Sequence, residues 1–190
     1  MSEAYQGREG VVQYPKLAVE ILARYATDQD MRSSNLKDDS IWDENVDREN
    51  TERMRSVIAE IGWPTISKVG KEAAHAAWTI VQHADHDSGF QEHCLSLMKA
   101  ESPDEVEVRD TAFLEDRVRV NTGRLQLYGT QFHETRDAAT RQIVVAYGPQ
   151  PIEDIEHIDE RRASVGLGPF KEHREGIIRT YYPHLADQEG

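Results

Sequence analysis

Cysteine is almost missing from this chain. One residue in 190, Cys94, excludes an internal disulfide and any zinc site built chiefly of thiolates. Long apolar runs are missing too, and none approaches the roughly 20 residues that cross a bilayer. The opening MSEAYQGREG has neither the basic start nor the apolar stretch of a signal peptide, so a cytoplasmic protein is expected. Cations are scarce: 22 Lys and Arg stand against 35 Asp and Glu, a net charge of −13. Nucleic acid and anionic membranes are held by Lys and Arg displacing counterions, so neither is expected as a partner. Several signatures are absent as well: a Walker loop, a GxGxxG after a strand, a GxSxG elbow and an EF-hand loop.

What is present is enough for one domain. Hydrophobic residues make up 38% and charged residues 30%, so the core must gather in the apolar middle of the chain. From Pro15, residues Leu17, Val19, Ile21, Leu22 and Tyr25 recur at helical spacing. A second set, Val46, Met54, Val57, Ile58 and Ile61, stops at Gly62. After the GWPT turn, with Thr65 or Ser67 as a cap, KEAAHAAWTIVQHAD carries an alanine-rich apolar side. Further helices run through Phe90 to Met98 and through Val106 to Val120, the latter stopping near Gly123. RLQLYGTQF and RQIVVAYG then read as two strands joined by the charged HETRDAAT, and two short helical stretches follow. The expectation is a mainly α, single-domain bundle of about six helices over 15–182, with a small β-hairpin near residues 125–147. Residues 1–14 and 183–190 are expected to be loose.

Five words recur in a recognisable order: GWPT, QHAD, LEDR, YGTQ and RRxxVGL. In that order they resemble a bacterial family known only as a domain of unknown function, over about residues 28 to 170. The resemblance implies a helix-rich fold and a bacterial origin, and no particular activity. The words fall on Trp63, Pro64, Trp78, Gln82, His83, Asp116, Arg117, Tyr128, Gly129, Thr130, Gln131, Arg161 and Arg162. His75, His86 and His93 lie outside the pattern.

Among these residues His83 is the candidate catalytic group. Histidine is the side-chain type whose unperturbed pKa lies near working pH, this one sits at a helix end, and Asp85 or Asp87 could orient it. The plainer alternative is a histidine that ties down the next loop. His75, Thr79, His83 and His86 share a helical face, but a solvated stripe explains them better than a metal site, and no metal or cofactor is expected. Cys94 sits in HCLSLM, where a thiol usually packs. Arg117 shares a face with Phe113 and Val120. It reads either as an internal ion pair or as a clamp on a ligand anion. Arg161 and Arg162 pose the same choice. Gly129 suggests a bulge or a close approach, while Tyr128 and Gln131 offer a phenol and an amide to a small polar ligand.

Two functions follow. In the first, a small polar or anionic ligand binds between the His83 helix end and the Tyr128–Gln131 strand. His83 acts as acid or base there, and Trp63, Gln82, Asp116, Arg117, Tyr128, Gln131 and Arg161 line the site. In the second, the chain is a regulatory or protein-interaction domain whose shared polar residues are internal fasteners. Trp42 or the segment TYYPHL would then meet the partner.

Overall fold

The computed structural model describes residues 12–35, 43–136 and 143–181. Trp42, residues 182–185 of TYYPHL, and the ends expected to be loose at 1–11 and 183–190 lie outside the described residues. The protein is mainly helical, as the periodicity predicts. In chain order the helices are α1 (Pro15–Asn35), α2 (Glu44–Ile61), α3 (Ile66–Val69), α4 (Lys71–Gln82), α5 (Ser88–Ala100) and α6 (Val108–Asn121). Strands β1 (Phe132–Arg136) and β2 (Ile143–Pro149) come next, then a 3₁₀ turn (Ile155–His157), α7 (Ile158–Ser164) and α8 (Phe170–Tyr181). Among the described residues no helix is long and apolar enough to cross a membrane.

Two compact units divide the chain: Met1–Ala84 with Ala100–Val106, and Asp85–Lys99 with Glu107–Gly190. In the first, α1 packs against α2, α3 and α4. The buried alanines Ala73, Ala76 and Ala77 of α4 let neighbouring backbones come close, with Ile80 and Val81 completing that face. Helix α2 buries Met54, Val57, Ile58 and Ile61, each contributing about 2 kcal/mol of apolar transfer. Asp43 caps the start of α2 by accepting from the Asn45 N–H at 2.9 Å. Gly62, at φ 70°, ends it where the sequence places the stop. Thr65 heads only the single turn α3, and α4 starts afresh after Gly70. Gln13 and Tyr14, within the stretch expected to be loose, donate their N–H groups to the carbonyls of Ser67 and Lys68 at 3.2 and 2.7 Å.

The second unit buries Phe90, Cys94, Leu95 and Met98 of α5, Leu114 and Val118 of α6, Ile158 of α7, and Leu167. Cys94 is therefore a packing thiol, as its apolar neighbours suggest. The hairpin exists, but its first strand is not where the sequence suggests. β1 starts at Phe132 and pairs antiparallel with β2, from Phe132↔Pro149 to Arg136↔Ile143. Residues 124–131 form a loop with one isolated bridge, Gln126 to Ile152. Alternation in RLQLYGTQF mimics a strand, yet Gly129 takes φ 64°, which no extended strand allows.

Gly129 also has no room for a side chain. A Cβ there would stand 2.6 Å from Phe170 Cε2 and 2.9 Å from Ile158 Cδ1. With the left-handed backbone added, Gly129→Ala is expected to cost about 3 kcal/mol. A thermal melt followed by circular dichroism checks this. A midpoint within 2 °C of the parent would show that the loop relaxes freely.

Candidate functional site

Four side chains of α1, Glu20, Arg24, Asp28 and Arg32, stand four residues apart and so form one stripe along the helix. Each finds a partner within the first unit. Glu20 accepts from Arg53 Nε and Nη2 at 2.5 and 2.8 Å. Arg24 Nη1 donates to Asn50 Oδ1 at 3.3 Å, and Arg32 Nη2 donates to Asp47 Oδ1 at 2.6 Å. Asp28 meets His83, the cap of α4, with both carboxylate oxygens 3.0 Å from Nδ1.

This last group is the chemically capable one. Asp28 is fully buried, while the His83 side chain is 20% exposed. A carboxylate can only accept, so in the tautomer that satisfies Asp28 the proton sits on Nδ1 and Nε2 is the basic nitrogen. Arg32 Nε lies 2.9 Å from that Nδ1 and 3.1 Å from Asp28 Oδ1. The guanidinium N–H is aimed at both, and in the tautomer with Nδ1 protonated the carboxylate takes it. Among the described residues nothing bonds His83 Nε2.

The two carboxylates around Arg32 are driven apart. Burial would raise Asp28. The hydrogen bond from His83, the charges of His83 and Arg32, and the Gln29 amide together hold it below its ordinary value. Asp47 goes the other way: burial pushes it up, Asp28 repels its charge, and Arg32 offsets only part of this. Asn50 Nδ2, one turn along α2 from Asp47, is buried with no partner among the described residues.

The same stripe sets an acid-sensitive contact. The Arg53 hydrogen bonds, helped by Arg24 and opposed by burial, lower Glu20 from 4.5 to about 2. A carboxyl depressed on folding stabilises the fold above its unfolded value, and that stability disappears as pH falls through the folded one. Between pH 5 and 2 this contribution, about 1 kcal/mol after solvent screening, should vanish. Glu20→Gln should flatten that part of the urea-midpoint profile. An unchanged slope in the variant would refute the assignment.

The remaining candidates divide between the units. Trp63 and Gln82 are buried in the first, and the Trp63 indole N–H has no partner among the described residues. Asp116, Arg117, Tyr128, Gln131 and Arg161 come together in the second, around the 126–131 loop. Asp116 accepts from the backbone N–H groups of Leu127 (2.6 Å), Tyr128 (3.1 Å) and Thr130 (3.0 Å), and from the Thr130 hydroxyl (3.0 Å). Burial raises its carboxyl nonetheless, against the pull of those donors. Arg161 donates to the carbonyls of Leu127, Glu153 and Asp154, and the buried Arg162 donates to those of Tyr128 and Gly168. Gln126 bonds Gln131 through both its amide ends. Arg117 forms the ion pair, with Asp85 taking two of its nitrogens, while Nη1 donates to Gln131 Oε1 at 2.9 Å. Burial raises the half-buried Tyr128 phenol, and the charges of Glu115 and Asp116 add to this.

Two expectations need correction. Asp28, not Asp85 or Asp87, orients His83. Asp85 belongs to Arg117 and Asn121, and Asp87 accepts from the Phe90 N–H at 2.9 Å. In the histidine stripe, the His75 ring packs tilted against Trp78 with ring centroids 4.9 Å apart. Among the described residues no three His, Cys, Asp or Glu meet as a metal ion would need. Tyr128 to Gln131 line no strand. Sequence reading missed Asp28, Arg32 and Asp47. The available signal was the four-residue step of alternating charge in α1.

Fold and site together define a mainly helical protein with a buried aspartate bonded to a partly exposed histidine. Residues 15–182 match the family of unknown function DUF6624, and the chain belongs to that family. No curated protein and no solved structure matches it.

Proposed function

We propose that the chain carries a proton-transfer site for a small polar molecule, with His83 as the acid–base group and Asp28 as the carboxylate that orients it. One observation carries this reading. A fully buried carboxylate is spent on Nδ1 of a histidine whose ring is partly open to solvent and whose Nε2 engages nothing among the described residues. A base so placed needs only a substrate proton within hydrogen-bond reach. Arg32 holds both carboxylates in place, and their opposite shifts keep Asp28 ionised while Asp47 takes a proton more readily. Asn50 Nδ2 is a donor left for a substrate oxygen.

The test is a panel of small chromogenic esters, phosphoesters and amides. Turnover that disappears in His83→Ala, with the circular dichroism spectrum unchanged, is the expected result. No turnover across the panel, or turnover indifferent to His83, refutes the proposal.

A second reading is a non-enzymatic regulatory or protein-interaction domain. It draws on the second unit, where Asp116, Arg161 and Arg162 are spent on backbone groups, as internal fasteners would be. A silent panel together with a His83→Ala variant of parental stability would favour it.

A further inference from the structure

The geometry points to a separate site, within the second unit, for a small phosphate ester. A hollow of about 220 Å³ opens between α5 and α6, bordered by Lys99, Arg119 and Arg124, with Glu92, Glu115 and the apolar Leu95. The chain as a whole carries −13, yet three cations border this hollow against two carboxylates. With Glu153, which pairs with Arg119 from outside the hollow, the cluster balances to neutral in a chain of −13. An anion there meets none of the net repulsion that the chain as a whole carries, and is held by whatever N–H groups the cations have to spare.

The cations are held in place with donors to spare. Arg119 Nη1 donates to the Leu125 carbonyl at 2.8 Å and to Glu153 at 2.9 Å, while Nε faces Glu115 at 3.7 Å. Arg124 Nε donates to Thr122 Oγ1 at 2.9 Å and Nη2 to Glu92 at 3.2 Å. Lys99 Nζ pairs with Glu115 at 2.8 Å. Arg119 Nη2, Arg124 Nη1 and two of the three Lys99 N–H groups have no partner among the described residues. Several N–H groups on fixed guanidinium planes suit the oxygens of a phosphate.

The carboxylates decide how it fills. Glu115 is only 16% exposed and sits between Lys99 and Arg119, so it stays. Glu92 is 60% exposed and holds Arg124 by one contact, so it swings to water at little cost. An incoming dianion then faces three cations against Glu115, with Glu153 drawing on Arg119 from outside the hollow. A hollow of about 220 Å³ suits a ligand smaller than the drug-sized ones that fill sites of about 300 Å³ and more. Leu95 offers contact to a short carbon chain.

The test is an amide NMR titration of the whole chain at constant ionic strength, using glycerol phosphate, inorganic phosphate and glycerol. Saturable shifts at residues 92–99 and 115–124 are expected with glycerol phosphate, weaker ones with inorganic phosphate, and none with glycerol. Lys99 and Arg124 are about half exposed, so Lys99→Gln and Arg124→Gln should fold and bind roughly tenfold more weakly. Glu92→Gln, which removes the competing carboxylate, should bind severalfold more tightly. Equal saturation by inorganic phosphate and the ester would overturn the ester class. Shifts scattered over the surface, or indifferent to Arg124→Gln, would overturn the site.

Discussion

Asp116→Ala is expected to destabilise the protein by about 4 kcal/mol and to lower its thermal midpoint by roughly 10 °C. The carboxylate is fully buried and takes three backbone N–H groups and one hydroxyl. Alanine would leave all four donors without this acceptor, the two of Thr130 buried and those of Leu127 and Tyr128 partly so, each costing on the order of 1 kcal/mol. Asp116→Asn separates the causes. It keeps one oxygen but aims an NH₂ at donors, so it should recover less than half of the loss. Calorimetry on the parent and both variants reads this directly. A midpoint shift under 3 °C for the alanine variant would mean that other groups hold the loop.

Asp28→Asn should lower whatever turnover His83 supports by 10²- to 10⁴-fold while leaving the fold intact. The substitution preserves shape and removes charge. With the carboxylate gone, Nδ1 is no longer compelled to carry the proton, and the amide can present either its oxygen or its NH₂. Nitrogen-15 NMR of labelled histidine measures this without a substrate. The parent should show His83 protonated at Nδ1, and the variant should shift toward the Nε2–H form. An Nε2–H form in the parent would contradict the orientation proposed for the base.

The helices were legible because their apolar residues recur at 3.6-residue spacing and their ends carry Gly62, Gly123 and Gly166, each at positive φ in the structure. His83 could be singled out from the sequence, but its partner could not. Asp28 lies 55 residues away, and a local search favours neighbours such as Asp85. The strand assignment of 124–131 failed for a different reason. Period-two alternation says nothing of where backbone N–H groups go. Here they go to Asp116 and Gln126 rather than to a neighbouring strand. Arg117 was readable as an ion pair, whereas its acceptor Asp85 depended on packing.

The charges along α1 also control how that helix can seat. Sliding it one turn, about 5.4 Å, in one direction would bring Arg24 opposite Arg53. Sliding it the other way would set Lys16 against Arg53 and Asp28 against Asp47. Either displacement turns attraction into repulsion. The alternation therefore acts as a ratchet pawl, holding the helix in the one position where a carboxylate lies beneath the imidazole.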